Sequence, residues 1–453
     1  MDKPALERLF EDRKSRYIGD WESILRFPSV SSEPERQADC EACARWLADG
    51  LKRIGFSSRL LPTASHPVVF AERQGAPEKP VVLFYGHYDV QPADPLDQWQ
   101  SPPFSPTWRN GRLYARGAQD NKVQLTYVLK ALEALIEAGA ALPTIKLFIE
   151  GDEERGSAGV SEGLSAWSNE LRADVLMVCD TGTVATGAPT IIMGLRGILH
   201  LTVTLTGPSH DLHSGMHGGV SPNPAQAMAR LIASLHRPDG SIAIRDYYAD
   251  VPMPSDEERR LANAVPFDAE HYTRQTGVAP VAGEKQFTPA ERLGFRPSID
   301  VNGLHAGYGG PGSKTIIPSS AMAKISARLT SGQNPEKCME AIVTHLREQT
   351  PHGLQLAIPE KDIGGPALRL NLTSPLVARA KQILFELTGE EPMFLWEGAS
   401  IPLLSRLSHV AHAEPLLVGM GAEEDRVHAP NESFSLEQFR RGFLYAGLLL
   451  SRL

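Results

Sequence analysis

The spacing of apolar and polar positions changes several times along the chain, and each change predicts an element. Residues 81–85, 145–149, 175–178 and 416–418 are apolar almost without interruption, as expected of short strands buried on both faces of a parallel sheet. Between the first two, Leu125, Val128, Leu129, Leu132, Leu135 and Ile136 recur at helical spacing over 121–138. Buried strands alternating with amphipathic helices predict α/β architecture. From about Gly197 the period becomes two: Leu199, Leu201, Val203 and Leu205 alternate with His200, Thr202, Thr204 and Thr206, so one face of that strand is wet. Helical stripes at Met228, Leu231, Ile232 and Leu235 and at Ile342 and Leu346 are interleaved with alternating runs over 321–329 and 354–358. Strand, helix, strand, helix, strand with half-polar strands predicts a separate α+β module. After Pro366 the earlier pattern resumes. The expected organisation is one α/β domain in two segments, 1–194 and 371–453, interrupted by an inserted domain over 195–370, with 237–297 a polar, Pro-rich excursion inside the insert.

The chain has 453 residues, which excludes a single small domain. Its longest apolar run, 443–450, is far short of the roughly 20 residues that span a bilayer. Membrane partners are not expected. Forty-five Lys and Arg against 54 Asp and Glu leave a net charge of −9, and no window resembles a basic arm, so nucleic acid is not an expected partner. Residues 1–16 mix charges without the apolar core of a secretory signal. The expected setting is the cytoplasm. Four scattered cysteines do not make a disulfide framework, and Cys40 and Cys43 fall on the apolar stripe of a helix with Trp46 and Leu47, where core packing outweighs redox or metal work.

Each buried strand runs into polar residues suited to metal. The first ends in Gly86-His87-Tyr88-Asp89, the second in Glu150-Gly151-Asp152-Glu153-Glu154, and the third in Cys179-Asp180-Thr181; the fourth is soon followed by His428-Ala429-Pro430-Asn431-Glu432. Carboxyl ends of strands are where open α/β sheets build sites. Asp120, just before the helical pattern, adds a carboxylate, although Asp there is also a good helix N-cap. Two His with several carboxylates suit two divalent ions that polarise a carbonyl and activate a water. One carboxylate must stay off the metals to take the water's proton, and adjacent Glu153 and Glu154 could divide those tasks. Such ligands accept zinc, manganese or cobalt.

These strings, with Ala115-Arg116-Gly117-Ala118-Gln119-Asp120-Asn121-Lys122, resemble the co-catalytic metallopeptidase family of carboxypeptidase G, acetylornithine deacetylase, aminoacylase and the carnosinase-like dipeptidases. The resemblance implies a phosphorylase/hydrolase-like catalytic domain, a ferredoxin-like inserted lid that dimerises, and two divalent ions per subunit, zinc foremost. It implies that His87 and Asp180 bind one metal and Glu154 and His428 the other, with Asp120 bridging. Glu153 is then the general base for a metal-bridging water, Asp89 orients His87, and the Asp120-Asn121 bond is cis. Asp at 180, the phrase Asp211-Leu212-His213-Ser214-Gly215 and the long insert are similar to the cytosolic dipeptidase branch. There His213 would reach the partner subunit's site as an oxyanion donor, and Thr315, Arg328 and Ser400 would hold the substrate carboxylate. The alternation of 321–329 independently puts Arg328 on the wet face, where its guanidinium can fork onto a carboxylate. Ala399 departs from the branch, which has Gly there, and leaves inherited specificity open. The implied activity is hydrolysis of short L-peptides with a free C-terminal carboxylate. An N-acyl or N-carbamoyl amino-acid amidohydrolase and a non-catalytic metal-binding protein remain alternatives.

Overall fold

The computed structural model describes all 453 residues. Contacts divide the chain into two compact units, one of Met1–Met193, Leu370–Leu395 and Arg406–Leu453, the other of Gly194–Arg369 and Trp396–Ser405. The segment Trp396–Ser405, expected with the catalytic segments, therefore groups with the insert.

The first unit is built on a mixed sheet. Its strands run in the order Ser57–Leu61, Val68–Arg73, Thr144–Glu150, Val81–His87, Val175–Val178, Glu414–Leu417 and Thr190–Leu195. The four strands read as parallel from their apolar runs are parallel to one another, with Val82 beside Ile145 and Val175, and Glu414 beside Val175. Their side chains are buried on both faces: Val82, Leu83, Phe84 and Tyr85 are at most 1% exposed. Helices supply the cover. Lys3–Leu25 is capped by Asp2, whose carboxylate accepts the Ala5 N–H at 3.0 Å, and opens with Pro4. Lys122–Glu137 is buried nearly all round, as its continuous apolar character demands. Leu436–Arg452 starts with a Ser435/Gln438 capping box. These three helices pack together, joined by Trp21 stacked on Phe439 at 4.8 Å between ring centres. Cys40 and Cys43 sit fully buried in the helix Gln37–Arg53 as core residues.

The second unit carries an antiparallel sheet in the order Ser298–Ala306, Ser320–Leu329, Gly197–Thr206 and Gln355–Gly365. Helices Pro224–Ala233 and Pro335–Glu348 bury Met228, Leu231, Ile342 and Leu346 against the odd-numbered face of Leu199–Leu205 and Ala321–Leu329. Its element order, strand, helix, two strands, helix, strand, is ferredoxin-like. The edge strand Ser298–Ala306 is not predicted from the pattern. A register shift between Val301 and Gly303 breaks its period, and most of its side chains are exposed. The excursion contains three short helices, two of them opened by capping boxes at Ser255/Glu258 and Thr288/Glu291. No helix is long and apolar enough to cross a membrane.

Candidate metal centre

In the first unit, parallel register brings the chemistry to one rim. His87 ends its strand directly beside Glu150, and Val178, two residues before Asp180, lies beside Tyr85. Glu153 and Glu154 open a single 3-10 turn, Glu153–Arg155. Asp120 precedes the helix Lys122–Glu137, but the N-cap position belongs to Asn121, so capping is not what Asp120 does. His428 sits in a loop with φ of 60°.

Five of these side chains converge into two groups that share Asp120. The ligand atoms of His87, Asp120 and Asp180 all lie within 4.8 Å of one another, as do those of Asp120, Glu154 and His428. His87 Nε2 is 3.0 Å from Asp120 Oδ1 and 3.4 Å from Asp180 Oδ2, whereas His428 Nε2 is 2.9 Å from Asp120 Oδ2 and 3.4 Å from Glu154 Oε2. The two oxygens of Asp120 thus face different histidines, as a bridging carboxylate requires. His87 Nε2 is buried yet lacks a hydrogen bond of acceptable direction, and Glu154 Oε1 is buried without a partner. Donor atoms gathered this closely and left unsatisfied among themselves fit a pair of divalent cations.

Electrostatics agree with that fit. Burial pushes the Glu153 carboxyl well above the usual carboxylate range, and Asp180, Asp120 and Glu154 push it further, against the pull of His87. Asp180 and Glu154 are likewise raised, first by burial. Burial also works against the charge on Asp120, but the hydrogen bond with His428 and the adjacent imidazole of His87 outweigh it and hold that carboxyl low. Hydrogen bonds with Asp120 and Glu154 push His428 up to about 10. Crowded carboxylates of this kind need positive charge to share one site.

The surrounding groups hold the candidates in place. Asp89 is fully buried, with its carboxylate 3.4 Å from His87 Nδ1. The nearer partner of that nitrogen is the backbone carbonyl of Asp89, at 3.1 Å. The Asp89 carboxylate accepts instead from Ser31 Oγ at 2.7 Å and from the N–H groups of Glu153 and Glu154 at 3.3 and 3.1 Å. It ties the His87 strand end to the glutamate turn. Gln91 donates to Glu154 Oε2 at 2.7 Å. Asn121 Nδ2 donates to Asp180 Oδ1 at 2.7 Å and to the Cys179 carbonyl at 2.9 Å. Glu150 accepts from Tyr85 Oη and Ser157 Oγ at 2.7 and 2.9 Å, and burial pushes its carboxyl up to about 8. The supporting side chains of Gln91, Asn121 and Glu150 are not singled out by sequence reading, although Asn121 and Glu150 lie in the strings quoted above and Gln91 follows the first of them by two residues. The Asp120-Asn121 bond is cis.

The remaining candidates lie in the second unit. His213 and Thr315 are exposed neighbours: His213 pairs with Ile316 across a two-residue ladder, and the Ser214 N–H reaches the Thr315 carbonyl at 3.0 Å. His213 Nδ1 accepts the Gly215 N–H at 3.1 Å, so in the neutral ring Nε2 carries the proton and is a donor. Arg328 Nη1 donates to Ser400 Oγ at 2.7 Å. Arg196, which sequence reading passes over, clamps the same segment with Nε on the Gly398 carbonyl at 2.9 Å.

The chain is 28% identical over 459 residues to a Beta-Ala-His dipeptidase of Homo sapiens, covering 98% of this chain and 90% of that one. It is 27% identical over 467 residues to a Cys-Gly metallodipeptidase of Candida albicans, covering 97% and 96%. Among solved structures, an M20 family metallo-carboxypeptidase from Sulfolobus solfataricus superposes with a TM-score of 0.85 at 29% identity, covering 96% of this chain and 98% of that one. Residues 83–452, which carry every candidate ligand, match the description of Peptidase family M20/M25/M40, and the chain belongs to that family.

Proposed function

We propose that the protein is a dinuclear metal-dependent dipeptidase, cleaving short L-peptides that end in a free carboxylate. The observation that carries this reading is the pair of His/carboxylate groups sharing Asp120, with Glu153 beside them and outside both. The dipeptidase names of the human and Candida relatives support the substrate class. His87, Asp180 and Asp120 would hold one ion and Glu154, His428 and Asp120 the other. When bound, the ions polarise the peptide carbonyl and make a water acidic enough to lose its proton near neutral pH. Glu153 takes that proton and delivers it to the departing amine. Its backbone, anchored through Asp89, keeps the carboxylate oriented. Arg328 with Ser400 and Thr315 binds the C-terminal carboxylate, and the Nε2 proton of His213 donates to the oxyanion. The inserted 195–370 domain serves as lid and as the homodimer interface; the exposed edge strand Ser298–Ala306 is a surface suited to such pairing. We read zinc as the resident ion, with manganese or cobalt as alternatives. The reading includes a cytosolic setting, in keeping with four buried free thiols.

Glu153→Gln tests the reading directly. It should cut turnover by roughly 10²–10⁴-fold while metal analysis still finds both ions; retained activity sinks the assignment of the base. Mixing His213→Ala chains with Glu153→Gln chains should restore part of the activity if sites are completed across subunits, and no recovery removes the cross-subunit role. A second reading is favoured by the solved metallo-carboxypeptidase: release of C-terminal residues from longer peptides. Assays of dipeptides, longer peptides, and N-acetyl and N-carbamoyl amino acids under one condition separate dipeptidase, carboxypeptidase and amidohydrolase.

A further inference from the structure

Glu432 has no role in the chemistry above, yet it is fully buried and all its acceptor capacity is directed at one loop. Its Oε2 accepts from Arg116 Nη1 at 2.7 Å and from the Gly117 N–H at 3.0 Å, while Oε1 accepts from the N–H groups of Gln119 and Asp120 at 2.7 and 3.1 Å. Its backbone carbonyl takes the Ala115 N–H at 3.1 Å. The loop 115–120 is therefore wrapped around one carboxylate and ends on Asp120, the residue common to both candidate ligand groups. Gly117 makes the wrap feasible: its φ is 84°, and a Cβ there would come within 2.8 Å of Val90 Cγ1.

Four residues earlier on the same segment stands His428, which faces the other side of Asp120. The segment is pinned between the two by Asn431, whose amide bonds to Gln98 and Gln100 backbone groups at 2.8 and 2.9 Å. The distance from Asp120 to His428 thus depends on contacts that run through Glu432. Neutralising buried Arg116 is the simpler role for this carboxylate. It accounts for one of the four side-chain contacts; the other three are to backbone N–H groups of the loop that delivers Asp120.

We propose that Glu432 is a positioning residue for the dinuclear centre, presetting Asp120 against His428 so that both metal sites form at once. The proposal rests on the metal assignment above, and its test reads metal binding separately from turnover. Glu432→Gln is nearly isosteric but turns one of the two acceptor oxygens into a donor that meets N–H groups already aimed at it. In competition titrations of metal-free protein with Zn²⁺, this variant should bind both ions at least tenfold more weakly. The visible spectrum of the Co²⁺-loaded form should change as well, with the circular dichroism of the metal-free chain unaltered. Arg116→Gln removes one charge-assisted contact but leaves the three backbone contacts in place, so it should weaken Zn²⁺ binding several-fold less than Glu432→Gln does. Parent-like affinity and spectrum in Glu432→Gln overturn the proposal; so does equal weakening in the two variants, which would assign the carboxylate to charge pairing. If Glu432→Gln does not fold, Glu432→Asp replaces it under the same expectations and the same overturning results. A parent protein that binds no Zn²⁺ would remove the metal reading itself, which distinguishes that failure from this one.

Discussion

Asn121 shows how much a neutral side chain contributes to a charged site. Its amide spans the Asp180 carboxylate and the Cys179 carbonyl, the second bond buried and the first partly so, so it holds one candidate ligand from behind. Replacing it by Leu, similar in shape but without donors, leaves those acceptors unpaired. Denaturant unfolding in chelator should show a loss of about 1–3 kcal/mol, and calorimetric titration should show weaker binding at the His87–Asp180 position. Residue identity made His87, Asp120, Glu154, Asp180 and His428 legible as candidates, because His and carboxylates after buried strands are a recognisable chemical signal. Asn121, Gln91 and Glu432 were not legible in that way. Amides and acids are common in loops, and only the directions of their hydrogen bonds distinguish a support from a solvated side chain.

At the level of elements, the four parallel strands and the helix after Asp120 follow from periodicity, since a strand covered on both faces must be apolar at consecutive positions. The turn after Thr144–Glu150 is less obvious. A Cβ on Gly151 would come within 2.2 Å of Cζ and Oη of Tyr88, which is buried and donates to the Pro67 carbonyl at 2.7 Å. Gly151→Ala should therefore destabilise the protein by about 1–3 kcal/mol through overpacking and shift the turn bearing Glu153 and Glu154. Thermal unfolding together with kcat checks both effects, and an unchanged melting point would mean that Tyr88 moves aside freely. The Ser298–Ala306 strand was hidden for the opposite reason. A strand with few buried side chains and a bulge has no clean period to read.

For the molecule as a whole, a dinuclear centre assembled from five separated stretches should couple metal binding to stability, because unfolding disperses the ligands. Free metal at a hundredfold its dissociation constant adds about 2.7 kcal/mol per site. Removing it with chelator should lower the melting temperature and readdition should restore it; a midpoint indifferent to chelator would contradict a preformed two-metal site. The net charge of −9 belongs to the same scale. Part of it is concentrated at the rim in Asp120, Glu153, Glu154 and Asp180, where bound cations would offset it. Local patterning was enough to specify the architecture class, the strand ends that carry chemistry and the types of ligand, since each depends on residues near one another in the chain. Tertiary structure alone decided that Asp120 faces two histidines, that Asp89 braces the glutamate turn, and that Glu432 holds the loop of Asp120. Those arrangements join residues up to 316 positions apart, and no local periodicity encodes a contact whose geometry is set by how strands and loops pack.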